Sequence, residues 1–140
     1  HLASRACNMI SGGELQLTFI ARALVNEPSV LVLDEPESHL DFKKQLIILE
    51  LVESLAHEDG ISCIMNTHFP NNALRVADRI LLLGHGGKHT FGPAREVLTA
   101  EQVASYFEVN AQFTTVASER GEWPVLHPVS LIPSEGETHV

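Results

Sequence analysis

Val30-Leu31-Val32-Leu33-Asp34-Glu35-Pro36 is an unbroken apolar run that stops at two adjacent carboxylates and a proline. Four apolar residues without alternation suit a strand of a parallel sheet, covered on both faces. The two acids therefore stand at the strand's carboxyl end, the end at which open α/β sheets bind ligands. Successive strand side chains diverge, so Asp34 and Glu35 can take different tasks. A hard cation such as Mg²⁺ takes a carboxylate, directly or through water, and a hydrolytic water needs a base. Taken alone, the pair also suits a plain acidic loop after a buried strand.

Upstream of this run, Leu15, Leu17, Phe19, Ile20, Ala23, Leu24 and Val25 predict a buried helix, which Asn26-Glu27-Pro28 ends. Downstream, residues 40–57 form a long amphipathic pattern: Ile48, Leu51, Val52 and Leu55 share one face, Lys43, Glu50, Ser54 and His57 the other. Asp59-Gly60 stops it, and residues 61–65 read as a second buried strand. A short helix (71–77), a third strand (79–83) and a hairpin turn at Gly84-His85-Gly86-Gly87 into residues 88–91 follow. Two short helices are expected within 93–107. Beyond 108 the pattern weakens, with strands expected at 109–117 and 125–132, a turn at 119–122 and a frayed tail from Pro133. Strands alternating with helices long enough for crossovers predict an α/β domain, a mostly parallel sheet flanked by helices. Residues 1–108 form its body and 109–140 a small C-terminal extension and tail.

Composition narrows the classes. With 44% hydrophobic and 19% charged residues over 140, the chain suits a globular domain rather than disorder. No apolar run nears the roughly 20 residues of a membrane span, and the opening residues lack a signal-peptide layout. Nine Lys and Arg against 18 Asp and Glu leave a formal charge of −9, which argues against gripping nucleic acid or an anionic membrane by net charge. Cys7 and Cys63 form no C-x-x-C pair, so a reducing, cytoplasmic setting is expected.

Three further clusters carry chemistry. Ser11-Gly12-Gly13-Glu14 makes a capping box, Ser11 as N-cap and Glu14 at the third helical position. A cap does not explain two glycines in a first helical turn, each costing about 0.8–1 kcal/mol against alanine in a helix interior. Bare N–H groups at a helix start attract phosphate, and glycine lets it approach, so cap and anion site both stay open. Thr67-His68 ends the second strand as Asp34-Glu35 ends the first. Asp41, opening the long helix, needs no role beyond capping it.

Taken in order, Ile10-Ser11-Gly12-Gly13-Glu14, Ala21-Arg22-Ala23-Leu24, Val32-Leu33-Asp34-Glu35-Pro36, Ser38-His39-Leu40-Asp41 and Thr67-His68 resemble the nucleotide-binding subunits of ATP-binding-cassette (ABC) transporters. Residues 10–14 are similar to the signature motif, 30–35 to the Walker B strand, 38–41 to the D-loop, and His68 to the switch histidine. The C-terminal part is similar to ATPases of importers for iron-siderophore, haem or cobalamin. The chain departs from the family with Ile10 for the usual Leu, Glu14 for the common Gln, Glu37 for Thr or Ser, and Phe69 where an acid is frequent. No G-x-x-x-x-G-K-[ST] occurs in the 140 residues, so the resemblance is to the C-terminal half of a P-loop NTPase domain, without its Walker A half.

The resemblance implies a cytoplasmic ATPase, held on the inner face of the membrane by permease subunits, that energises transport. Two such domains, identical or not, sandwich ATP and Mg²⁺ between them. Glu35 then polarises the attacking water, Asp34 helps hold Mg²⁺, and His68 contacts the γ-phosphate. Ser11, Gly12, Gly13 and Glu14 meet the partner's nucleotide, and Asp41 couples the two sites. No nucleic-acid partner is expected, and these 140 residues alone are expected not to turn ATP over. Two other classes remain open: the ATPase head of a DNA-repair or chromosome-structuring protein, and a non-catalytic, nucleotide-dependent dimerisation module.

Overall fold

The computed structural model describes residues 11–118 and 121–133. Ile10 of the signature-like stretch, Cys7, the Glu119-Arg120 half of the expected turn and the tail beyond 133 lie outside them. The described chain divides into two units, one ending at His68 and the other beginning at Phe69.

In the first unit the run at 30–36 supplies β1 (Val30–Asp34), which pairs in parallel with β2 (Ser62–Asn66) from Val30↔Ser62 to Asp34↔Asn66. This is the parallel pairing expected of a strand–helix–strand run. The crossover is α2 (Phe42–His57), and α1 (Gly12–Leu24) precedes β1. Ile20 of α1, Leu31 and Leu33 of β1, and Ile48, Val52 and Leu55 of α2 form one buried cluster, with Leu51 packed against it. Burying each such side chain fully contributes about 1.5–3 kcal/mol, so this cluster dominates the unit's stability.

Two expectations of burial need correction. Leu31 and Leu33 are buried, but Val30 is 50% and Val32 71% exposed, so among the described residues β1 is covered on one face only. α1 likewise buries Gly13 and Ile20, while Phe19 and the C-cap residue Val25 stand exposed. A run of apolar residues records how much could be buried; the helices described here pack against a single face of the strand pair.

The second unit starts with α3 (Pro70–Val76), followed by β3 (Arg79–Leu83) and β4 (His89–Pro93), an antiparallel hairpin. Its turn is the expected glycine stretch, with Gly86 and Gly87 at φ +66° and +80°, where a side chain would be strained. α4 (Ala94–Val97) and α5 (Ala100–Phe107) follow, then a second hairpin of β5 (Val109–Ser118) and β6 (Gly121–Leu131). Leu74, Ile80, Leu82, Val97, Val103, Tyr106 and Leu126 are buried together. Asn71 fastens β6 to α3: its Nδ2 donates to the Leu126 carbonyl at 3.1 Å and its Oδ1 accepts from the Leu126 N–H at 2.7 Å.

Candidate functional site

β1 delivers Asp34 to its carboxyl end, and the chain then turns sharply. Glu35 takes φ +43°, a left-handed conformation that a non-glycine residue holds only when its surroundings impose it. Three contacts do so here. The Glu35 N–H donates to the Asn66 carbonyl at 2.9 Å, carrying the β1–β2 ladder one step past the strands. Ser38 Oγ donates to Glu35 Oε2 at 2.9 Å, and His68 Nδ1 lies 3.1 Å from Oε1. The Ser38 hydroxyl first, and then His68, hold the Glu35 carboxyl below its ordinary value of 4.5. Both side chains of the Glu35–His68 pair remain substantially exposed, 41% and 58%, so solvent reaches them.

Asp34 lies opposite Asn66 in the parallel register, and Asn66 Nδ2 donates to its Oδ1 at 2.8 Å. One step further into the protein, Glu37 is fully buried and accepts a hydrogen bond from the Thr67 hydroxyl. Residues 34–38 and 66–68 are thus laced together, and Asp34, Glu35 and His68 gather at one strand end as the sequence predicts.

The stretch Ser11–Glu14 lies elsewhere in the same unit. Glu14 Oε2 accepts from the Ser11 N–H at 2.8 Å and Ser11 Oγ accepts from the Glu14 N–H at 3.4 Å, the expected capping box. Gly12 and Gly13 differ. A Cβ built on Gly12 meets nothing within 4 Å, whereas one on Gly13 collides with Lys44 Cδ, with Cγ and Cε 3.2 Å away. A side chain at Gly13 would have to displace the flexible Lys44 stem, whereas Gly12 is left open to an approaching group. Asp41 caps α2 by accepting from the Lys44 N–H at 2.9 Å, and Lys44 Nζ stands 3.3 Å from its Oδ2. The Lys44 amide, above the side chain, holds the Asp41 carboxyl below its ordinary 3.8. Lys44 so ties the start of α1 to Asp41, while the hydrogen bonds described here do not join Ser11–Glu14 to the acid pair.

Sequence reasoning missed Asn66, Lys44, and the burial of Glu37. Asn66 could have been found from register alone, since a parallel pair ending at Asp34 and Asn66 sets them abreast. Lys44 carried a signal in its i,i+3 spacing from Asp41.

The donor set fits a magnesium-bound nucleotide. No group of three or more His, Cys, Asp and Glu among the described residues could cage a metal by itself. Mg²⁺ makes no such demand, because it keeps waters and is bound through one or two carboxylates with substrate phosphates. Asp34, exposed and with one oxygen engaged by Asn66, offers such a carboxylate. The open Gly12 at the start of a 13-residue helix offers backbone donors to an anion.

Known proteins resemble this chain in sequence and in fold. A family model described as "AAA domain, putative AbiEii toxin, Type IV TA system" matches residues 6–71. An uncharacterized ABC transporter ATP-binding protein of Methanocaldococcus jannaschii is 39% identical over 127 residues, 91% of this chain and 48% of that protein. The iron(3+)-hydroxamate import ATP-binding protein FhuC of Bacillus subtilis is 35% identical over 135 residues, 96% of this chain and 49% of that protein. Among solved structures, "an inward-facing conformation of a putative metal-chelate type ABC transporter" superposes with a TM-score of 0.87 at 33% identity, covering 93% of this chain and 51% of that one. A dimeric ATP-binding cassette bound to ADP and Pi gives 0.56 at 38% identity, covering 63% and 38%. The chain spans about half the length of the curated relatives it matches. No helix among the described residues is long and apolar enough to cross a membrane.

Proposed function

The chain belongs to the ATP-binding proteins of ABC transporters, and from that membership we propose that Asp34, Glu35 and His68 form the hydrolytic half of an ATP site that drives transport. The observation that carries this reading is the Glu35 carboxylate 3.1 Å from His68 Nδ1, beside Asp34, at the carboxyl end of a parallel strand pair. A carboxylate there can take a proton from a water, and an imidazole beside it can present an N–H to a phosphate oxygen. Bound Mg²⁺-ATP would supply the phosphoryl group and the charge that this arrangement is built to meet.

Within that reading Asp34 holds the metal, commonly through water, and Asn66 fixes the orientation of its carboxylate. Glu35 is the base. Ser11 and the Gly12 and Gly13 amides serve the nucleotide of a second ATPase domain, and Asp41, linked to the same helix start by Lys44, carries state between the two sites. The dimeric cassette among the structural relatives supports the second domain. The sequence contains no G-x-x-x-x-G-K-[ST], so the β- and γ-phosphate cradle comes from chain outside these 140 residues, which by themselves bind ATP weakly and do not turn it over. Residues 1–108 belong to the ATPase domain and 109–140 to a small extension. The whole protein sits at the inner face of the membrane on a permease, and the likeness to a hydroxamate importer and a metal-chelate type transporter supports a chelated metal as cargo.

The test is ATP turnover by the full-length protein carrying Glu35→Gln. Removing a placed base lowers the rate by about 10²–10⁴-fold, and circular dichroism should be unchanged. Turnover within a fewfold of the parent would refute the assignment.

A further inference from the structure

Contacts that lace residues 34–38 to 66–68 include Asp34 with Asn66, the Glu35 N–H with the Asn66 carbonyl, Glu35 with His68, and Glu37 with Thr67. They differ in depth. The Glu35–His68 pair is exposed on both sides, and water competes for each partner, so this pair is weak at holding its own geometry. Glu37 and its neighbour Pro36 are both fully buried, so water competes less for the bond from the half-buried Thr67 hydroxyl to Glu37 than for the exposed pair. Thr67 immediately precedes His68, and Glu37 follows Glu35 by two residues. We propose that Glu37 and Thr67 are positioning residues, a buried joint that fixes the spacing of Glu35 and His68 and so the reach of both toward the reacting phosphate.

The inference rests on reading Glu35 and His68 as the reacting groups, and the experiment separates the two. ATP turnover is measured on the full-length protein with Thr67→Val, which removes the hydroxyl at constant shape, Thr67→Ser, which keeps it, Glu37→Leu, which removes the acceptor, and Glu37→Gln, which keeps one. Small misplacements in a reacting constellation cost up to about 10²-fold, so Thr67→Val and Glu37→Leu should lower kcat about 10- to 100-fold with KM for ATP within about twofold. Thr67→Ser and Glu37→Gln should stay within about threefold of the parent, and the Thr67→Val/Glu37→Leu double variant should be no slower than the slower single, as a shared joint requires. Unchanged kcat in Thr67→Val, or a loss in Thr67→Ser equal to that in Thr67→Val, would overturn the proposal. Should Glu37→Leu fail to fold, the isosteric Thr67 pair decides alone. If Glu35→Gln keeps full turnover, the catalytic reading fails and the joint is judged by NMR of ¹³C-labelled histidine in the nucleotide-free protein. A His68 resonance that shifts in Thr67→Val but not in Thr67→Ser supports the joint; one that shifts in neither overturns it.

Discussion

Replacing Gly12 by alanine separates what the fold needs from what a ligand needs. Gly12 opens α1, and a Cβ there meets nothing within 4 Å. Where the backbone already suits alanine, glycine-to-alanine exchange stabilises by about 0.4–1 kcal/mol, chiefly by restricting the unfolded chain. At about 1.36 kcal/mol per decade, that is a rise of about two- to fivefold in the protection of the α1 amides against hydrogen exchange, a local readout that needs no two-state unfolding. Gly13→Ala is the internal control. It gains the same chain entropy, but its methyl must displace the Lys44 side chain that pairs with Asp41, so its gain must be the smaller of the two. ATP turnover of the full-length protein should respond in the opposite sense to protection: the Gly12 methyl occupies the space left open for a phosphate, so Gly12→Ala should be more stable and slower. If Gly12→Ala raises protection and leaves turnover intact, no anion approaches there and the residue is only a helix start. If protection does not rise, the helix-start geometry itself is wrong.

Two further outcomes follow from the hydrogen bonds. The folded protein holds the Asp41 carboxyl below 3.8, so its stabilising contribution is present above that value and is lost as pH falls through the lower folded one. The Lys44 amide should therefore lose protection on acidification, and Asp41→Asn, an equally good cap, should abolish this acid step; persistence of the step in the variant would count against Asp41 as its source. Asn71→Ala leaves the Leu126 N–H and carbonyl without their partner and should destabilise the second unit by about 1–3 kcal/mol. Asn71→Asp, which keeps the acceptor and loses the donor, should fall between, read by urea unfolding of the single tryptophan, Trp123 on β6.

The parts legible in the sequence are those whose signal is local. Asp34-Glu35-Pro36 after four apolar residues marks a strand end without reference to anything else, and Asp41 and Ser11 announce their caps by residue type and spacing. What was not legible depends on partners distant along the chain. Val32 has the same apolar character as Leu31, and only the placement of α1 and α2 decides that one is buried and the other exposed. Glu37 sits in an acidic run that reads as solvated, yet the turn at Glu35 carries it inward to Thr67, 30 residues on. The last hairpin read weakly because Pro124 and Pro128 interrupt its pattern. Both are accommodated because, among the described residues, β6 pairs with β5 alone, so the ladder asks for a hydrogen bond only from the nitrogens that face β5.

The proposed base is restrained by the same contacts that place it. Ser38 and His68 engage both oxygens of Glu35 and lower its carboxyl below the ordinary value. Under the proposed reading the His68 imidazole meets two partners, the Glu35 carboxylate and a phosphate oxygen. Turning the imidazole toward phosphate removes one of the influences that lower the Glu35 carboxyl, so recognition of the nucleotide and strengthening of the base become one event. That exchange demands that His68 change partner without its backbone drifting, because a histidine free to wander would lose the phosphate as readily as the carboxylate. A bond one residue before it, from the half-buried Thr67 to the buried Glu37, meets that demand by holding the segment that carries His68.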